Sequence, residues 1–155
     1  MNQEQRWEYE QHVFLDESAL RAFMNADDPQ YAKARSFFLD LHDLDRCFLT
    51  TSYIVFDTHE WLRDNCGYTH AEYFLNAIEK AIANGRLALI SGNGQLEQEA
   101  KNLLSQVPDF RFSLGEAVTA VVMFTYRIRR IFTFNQAFHK LPTLYDEIKV
   151  IPSIQ

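Results

Sequence analysis

Four positions combine a side chain and a setting suited to holding a cation or activating water: Asp16, Asp57, Glu116 and Asn135. Asp16 closes the apolar run Val13-Phe-Leu, which reads as a short strand buried on both faces. A carboxylate there either serves the crevice outside a strand's carboxyl end or caps the helix that begins near Ser18. Asp57 follows Ile54-Val-Phe on a helix and is expected close to that helix's buried side, where an unpaired carboxylate is costly. Glu60, one turn on, could share its face, although a helical Glu reads more simply as a solvated charge. Glu116 belongs to Ser113-Leu-Gly-Glu, the spacing of a capping box; a carboxylate at a helix N-terminus can also face a metal. Asn135 follows Ile131-Phe-Thr-Phe, where an Asn ordinarily makes a turn, and Thr133 points either into the core or toward the same crevice.

Acids at the ends of adjacent parallel strands, or at the helix starts beside them, converge in space. Two carboxylates about 5 Å apart repel by roughly 3 kcal/mol at an effective dielectric near 20. A cluster of three therefore either shares protons or holds a cation. An all-oxygen donor set suits Mg²⁺ or Mn²⁺, which lowers the pKa of a bound water and stabilises charge on a phosphodiester. No Cys/His cluster offers a zinc site, and G-x-S-x-G, a P-loop and G-x-G-x-x-G are all missing. Ser91-Gly-Asn-Gly has the glycines of a turn only, and His59, His70 and His139 are isolated surface or packing residues.

The elements that must position these residues alternate. Strands are expected at 13–15, 47–50, 87–90, 131–134 and 148–151. Helices are expected from Ser18 to about Asn25, over 31–41, from Ser52 to about Asn65 with Gly67 closing it, over 69–84, through Leu96, Ala100 and Leu103, and over 113–126. This alternation, joined by short polar loops, implies an α/β sandwich with a mostly parallel sheet of four to five strands. Residues 1–11 are polar and read as an N-terminal arm, with Trp7 and Tyr9 to dock it; residues 12–155 form one domain.

The chain is 47% hydrophobic and rich in aromatics, as a well-buried core needs. Its net charge of −6 opposes non-specific adhesion to nucleic acid without excluding a nucleic-acid enzyme, since local patches and bound cations decide at a site. Cys47 and Cys66 lack metal-type spacing and read as reduced core thiols of a cytoplasmic protein. No apolar run approaches the roughly 20 residues that span a bilayer.

The ordered set Val13-Phe-Leu-Asp16-Glu-Ser18, Leu49-Thr-Thr-Ser-Tyr-Ile-Val-Phe-Asp57-Thr, Phe112-Ser-Leu-Gly-Glu116-Ala and Ile131-Phe-Thr-Phe-Asn135-Gln-Ala-Phe resembles the PIN-domain nucleases, especially the toxin halves of VapBC-type toxin–antitoxin pairs. The resemblance runs from Val13 to about Ile151. It implies a three-layer α/β/α sandwich and a Mg²⁺- or Mn²⁺-dependent ribonuclease with water as nucleophile. It carries the three family acids onto Asp16, Asp57 and Glu116, the supporting hydroxyl onto Ser18, and the family's Thr onto Thr133. It also implies a homodimer and a small antitoxin whose tail fills the groove. Three departures stand out: the second acid is Asp where the family usually has Glu, the third is Glu where it usually has Asp, and Asn135 replaces a common fourth acid. About three charges then remain, which favours one metal over two, with Asn135 orienting a water or ligand.

RNA must pass the acids' own charge, so a basic rim is needed. Arg127, Arg129, Arg130 and Lys140, which flank the fourth strand, are the candidate RNA-binding residues, with Arg63 and Arg111 behind them; arginines at a helix end can equally complement its dipole. The expectation is a metal-dependent endoribonuclease. The rival is a catalytically impaired PIN-fold protein that binds RNA or a protein partner, with Asn135 its main support. A DNA flap-type nuclease is disfavoured by the small size.

Overall fold

The computed structural model describes residues 8–152. Trp7, expected to help dock the arm, lies outside them. Tyr9 is described, and packs edge-on against His12 and Tyr126 with ring centroids 5.1 and 5.7 Å away.

Val13–Leu15 forms β1 with all three side chains buried, as its unbroken apolar run demands. The chain continues through α1 (Glu17–Met24), α2 (Tyr31–Asp43), β2 (Phe48–Thr51), α3 (Ser52–Cys66), α4 (Tyr68–Ala83), β3 (Leu87–Ile90) and α5 (Gly94–Gln106). It closes with α6 (Leu114–Thr125), β4 (Arg130–Phe132), α7 (Leu141–Leu144) and β5 (Lys149–Ile151). Short 3₁₀ turns occupy Pro108–Phe110 and Gln136–Lys140; the second of these and α7 have no counterpart in the sequence reading. Gly67 ends α3 at φ 97°, a conformation that favours glycine.

All five strands are parallel, in the order β3-β2-β1-β4-β5. From β1 the chain steps outward through β2 to β3, then returns past β1 to β4 and β5. With right-handed crossovers, that reversal puts α1 to α4 on one face and α5 to α7 on the other, a three-layer α/β/α sandwich. Packing agrees: α1 meets α2 and α3, α3 meets α4, and α5 meets α6. The order reverses between β1 and β4, so a crevice opens outside their carboxyl ends.

The core is continuous around the sheet. Phe14, Leu49 and Ile131 are fully buried, and Phe132 meets Phe37, Phe38 and Phe134 at centroid distances of 5.0 to 5.8 Å. In α6, Ala117 to Met123 are all buried, the pattern of a helix enclosed on every side. β4 is shorter than expected. Thr133 still donates its N–H to the Ile151 carbonyl, but the Phe134 and Asn135 amides turn to the Ser18 and Thr133 hydroxyls instead of prolonging the ladder. Cys47 and Cys66 are free and half-buried; Cys66 packs against the core, whereas Cys47 lies outside it.

Because Phe132 is enclosed by rings on both sides, Phe132→Ala is expected to cost about 3–5 kcal/mol in urea unfolding. A loss below about 1 kcal/mol would mean that this cluster does not hold the sheet to α2.

Candidate active site at the carboxyl edge of the sheet

Leu15 pairs with Phe132, so Asp16 and Thr133 leave the sheet side by side. Asp16 is 6% exposed and caps α1, its Oδ2 accepting from the Ser18 amide at 3.3 Å. The Ser18 and Thr133 hydroxyls donate to the same oxygen, each at 2.7 Å. These hydroxyls lie 3.1 Å apart and accept the Phe134 and Asn135 amides, so the turn after β4 is laced to the start of α1. All three bonds fall on Oδ2; among the described residues none donates to Oδ1. The cap and the site are thus one side chain used through two oxygens.

Glu116 arrives on the other layer. The capping box of α6 is present in full: Glu116 N–H donates to Ser113 Oγ at 3.0 Å, and Ser113 N–H donates to Glu116 Oε1 at 2.8 Å. Asn135 Nδ2 donates to Glu116 Oε2 at 2.7 Å, and Asn135 Oδ1 accepts from the Ala137 amide at 2.9 Å. Each polar end of the Asn135 amide thus has one protein partner, and the side chain is tied to Glu116 while still lining the cavity.

Asp57 is exposed, contrary to the expected semi-buried position. The buried face of α3 carries Ile54, Val55, Thr58 and Leu62, and Asp57 projects beyond it. It still lines one cavity of about 380 Å³ with Asp16, Ser18, Glu116 and Asn135. Glu60 is exposed and lines an adjoining groove of about 330 Å³ with Asp57, Trp61 and Asp64. The three acids expected from the sequence share one cavity.

Two lining residues were missed. Glu17 follows Asp16 directly; burial pushes its carboxyl above the usual range, Arg21 pulls it back, and the Asp57 and Asp16 charges push it up again. Arg21 lines both the cavity and the groove, ion-paired to Glu17 at 2.7 Å and lying 4.8 Å over the Trp61 ring. An i,i+4 acid–base pair on a helix reads as ordinary surface, so only the folded position marks it.

Comparison of the sequence with protein-family models and with curated proteins gives no match. Among solved structures, the chain is similar to VapC20 of Mycobacterium tuberculosis, described as a sarcin–ricin-loop-cleaving toxin. The TM-score is 0.68 at 21% identity, covering 82% of this chain and 92% of that one. The chain has a PIN-domain fold.

Within the PIN fold, the three arginines of the expected basic rim fall at the edge of the sheet opposite the site. In a parallel sheet, residues entering a strand lie at the edge opposite its exit. Arg130 opens β4, paired with Val13 and Lys149, and Arg127 and Arg129 precede it. Arg129 is ion-paired to Glu10, and burial followed by the neighbouring Arg46 and Arg129 charges pushes the Arg130 pKa down. The arginines thus gather at the far edge. Lys140, in the turn after Asn135, lies with its Nζ 5.9 Å from the Phe110 ring centroid. Neither Arg63, paired with Asp64, nor Arg111 lines the cavity.

The all-oxygen lining suits a hard cation. Among the described residues, however, no three Asp, Glu, His or Cys side chains stand close enough together to hold a metal as they are. The Ser113 amide and Asn135 hold Glu116 on its own side of the cavity.

Thr133→Val removes one of two hydroxyls on a buried carboxylate while keeping the shape. It is expected to cost about 1.5–3 kcal/mol in thermal or urea unfolding near neutral pH. An unchanged stability would mean that Asp16 does not depend on this hydroxyl.

Proposed function

We propose that the protein is a divalent-metal-dependent endoribonuclease of the PIN toxin type, with Asp16, Asp57 and Glu116 holding Mg²⁺ or Mn²⁺. The observation that carries this reading is that three acids, one just past β1 and the others on α3 and α6, far apart in sequence, line one cavity at the point where the strand order reverses. The similarity to a toxin described as cleaving the sarcin–ricin loop supports RNA as the substrate class.

The donor set fits such a cation. Asp16 Oδ1 accepts no hydrogen bond among the described residues, and each Glu116 oxygen accepts only one. The lining is all-oxygen and would suit a hydrated hard cation, with Asp16, Asp57 and Glu116 as the residues that would hold it. When bound, the metal supplies Lewis acidity toward the phosphodiester and toward water. Ser18 and Thr133 fix the Asp16 carboxylate, Asn135 and the Ser113 amide fix Glu116, and exposed Asp57 is free to swing toward the ion.

The implied antitoxin and second copy belong to the same reading. An apolar groove of about 480 Å³ between α1, α2 and α4, lined by Leu20, Phe23, Phe38, Leu39 and Phe74, offers surface for a partner to cover. One observation favours the rival, a PIN-fold binder without nuclease activity: the three acids are not gathered in advance.

Incubation with RNA that includes a sarcin–ricin-loop hairpin separates the two. The expected result is cleavage in Mg²⁺ or Mn²⁺, none in excess EDTA, and a loss on the order of 100-fold in Asp16→Asn. RNA left intact in both metals, with the wild type folded, would sink the nuclease reading.

A further inference from the structure

Among the described residues, Arg21 is the one cation lining the acidic cavity and its adjoining groove. Around it are Asp16, Glu17, Asp57 and Glu116 in the first and Glu60 and Asp64 in the second. Any phosphodiester entering there is repelled by every ionised side chain but this one. Its guanidinium is only partly used. One terminal nitrogen donates to Glu17, one face lies on the Trp61 ring, and Nε is buried with no hydrogen-bond partner among the described residues. Both side chains of this i,i+4 pair keep about a third of their surface exposed, so the pair is open to solvent and to a competing anion. A guanidinium holds a carboxylate or a phosphate most strongly through two parallel N–H groups, and Glu17 takes only one.

We propose that Arg21, braced by Trp61, is the substrate-binding cation of this site, and that Glu17 occupies it until an RNA phosphate displaces the carboxylate. Arg21 then takes the part that the sequence reading gave to Arg127, Arg129 and Arg130. The inference rests on the nuclease reading for its substrate, but its test does not. The Glu17 carboxylate competes with the phosphate for the same donors, so the acid restrains binding. Removing the acid must therefore tighten binding, and by more with Arg21 present than in Arg21→Gln, where only the lost repulsion remains.

The experiment is fluorescence anisotropy of a labelled single-stranded RNA in EDTA, where nothing is cut, over a range of salt, with cleavage in Mn²⁺ measured in parallel. Arg21→Gln is expected to weaken binding about tenfold and to lower the salt slope by about 0.7, one phosphate contact on a single strand. Arg21→Lys falls between, since it keeps the charge and loses the fork. Glu17→Gln, which keeps Arg21, is expected to bind more tightly than wild type, a larger gain than the same change gives in Arg21→Gln. Melting temperatures identify any variant that fails to fold, and Glu17→Gln then decides alone. Wild-type cleavage with Arg21→Gln binding unchanged, or Glu17→Gln failing to tighten, would overturn the proposal while leaving the nuclease intact. Arg21-dependent binding without any cleavage would support it and remove the nuclease reading. Absence of RNA binding by wild type overturns it outright.

Discussion

The structure depends on one buried carboxylate. Asp16 leaves β1 at 6% exposure, and the Ser18 amide and two hydroxyls hold it through a single oxygen. Burying a charge is tolerated only when donors replace the lost water, and here they come from two elements 115 residues apart. The same hydroxyls accept the amides that turn the chain out of β4. Helix cap, strand end and site are therefore settled together, and no part can move without exposing another.

Around that anchor the electrostatics are unbalanced. Cavity and groove concentrate negative charge, while Arg46, Arg129 and Arg130 gather at the opposite edge of the sheet. Asn135 eases the imbalance where a further acid would have worsened it, since its Nδ2 donates to Glu116 instead of repelling it.

Much of the frame was legible because it rests on local rules. Val13-Phe-Leu could only be a buried strand, and Ser113-x-x-Glu116 announced its cap. What local rules could not convey was direction. Ile54-Val-Phe beside Asp57 suggested burial, yet Phe56 is itself 69% exposed, so the apolar run did not track the buried face. The arginines before β4 are near Asn135 in sequence, but three residues of strand carry them to the other edge of the sheet. Glu17 and Arg21 have the spacing of any solvated helix pair, and only the packing of α1 against α3 brings them to the cavity.

The claim that these acids form one cation site is most directly tested by titrating Mn²⁺ into isotope-labelled protein and following paramagnetic broadening of the backbone amides. The account predicts saturable broadening centred on Asp16, Ser18, Asp57, Glu116 and Thr133, abolished in Asp16→Asn. Broadening centred on other acids, such as Asp27 and Asp28 in the turn after α1, or none at millimolar Mn²⁺, would contradict it.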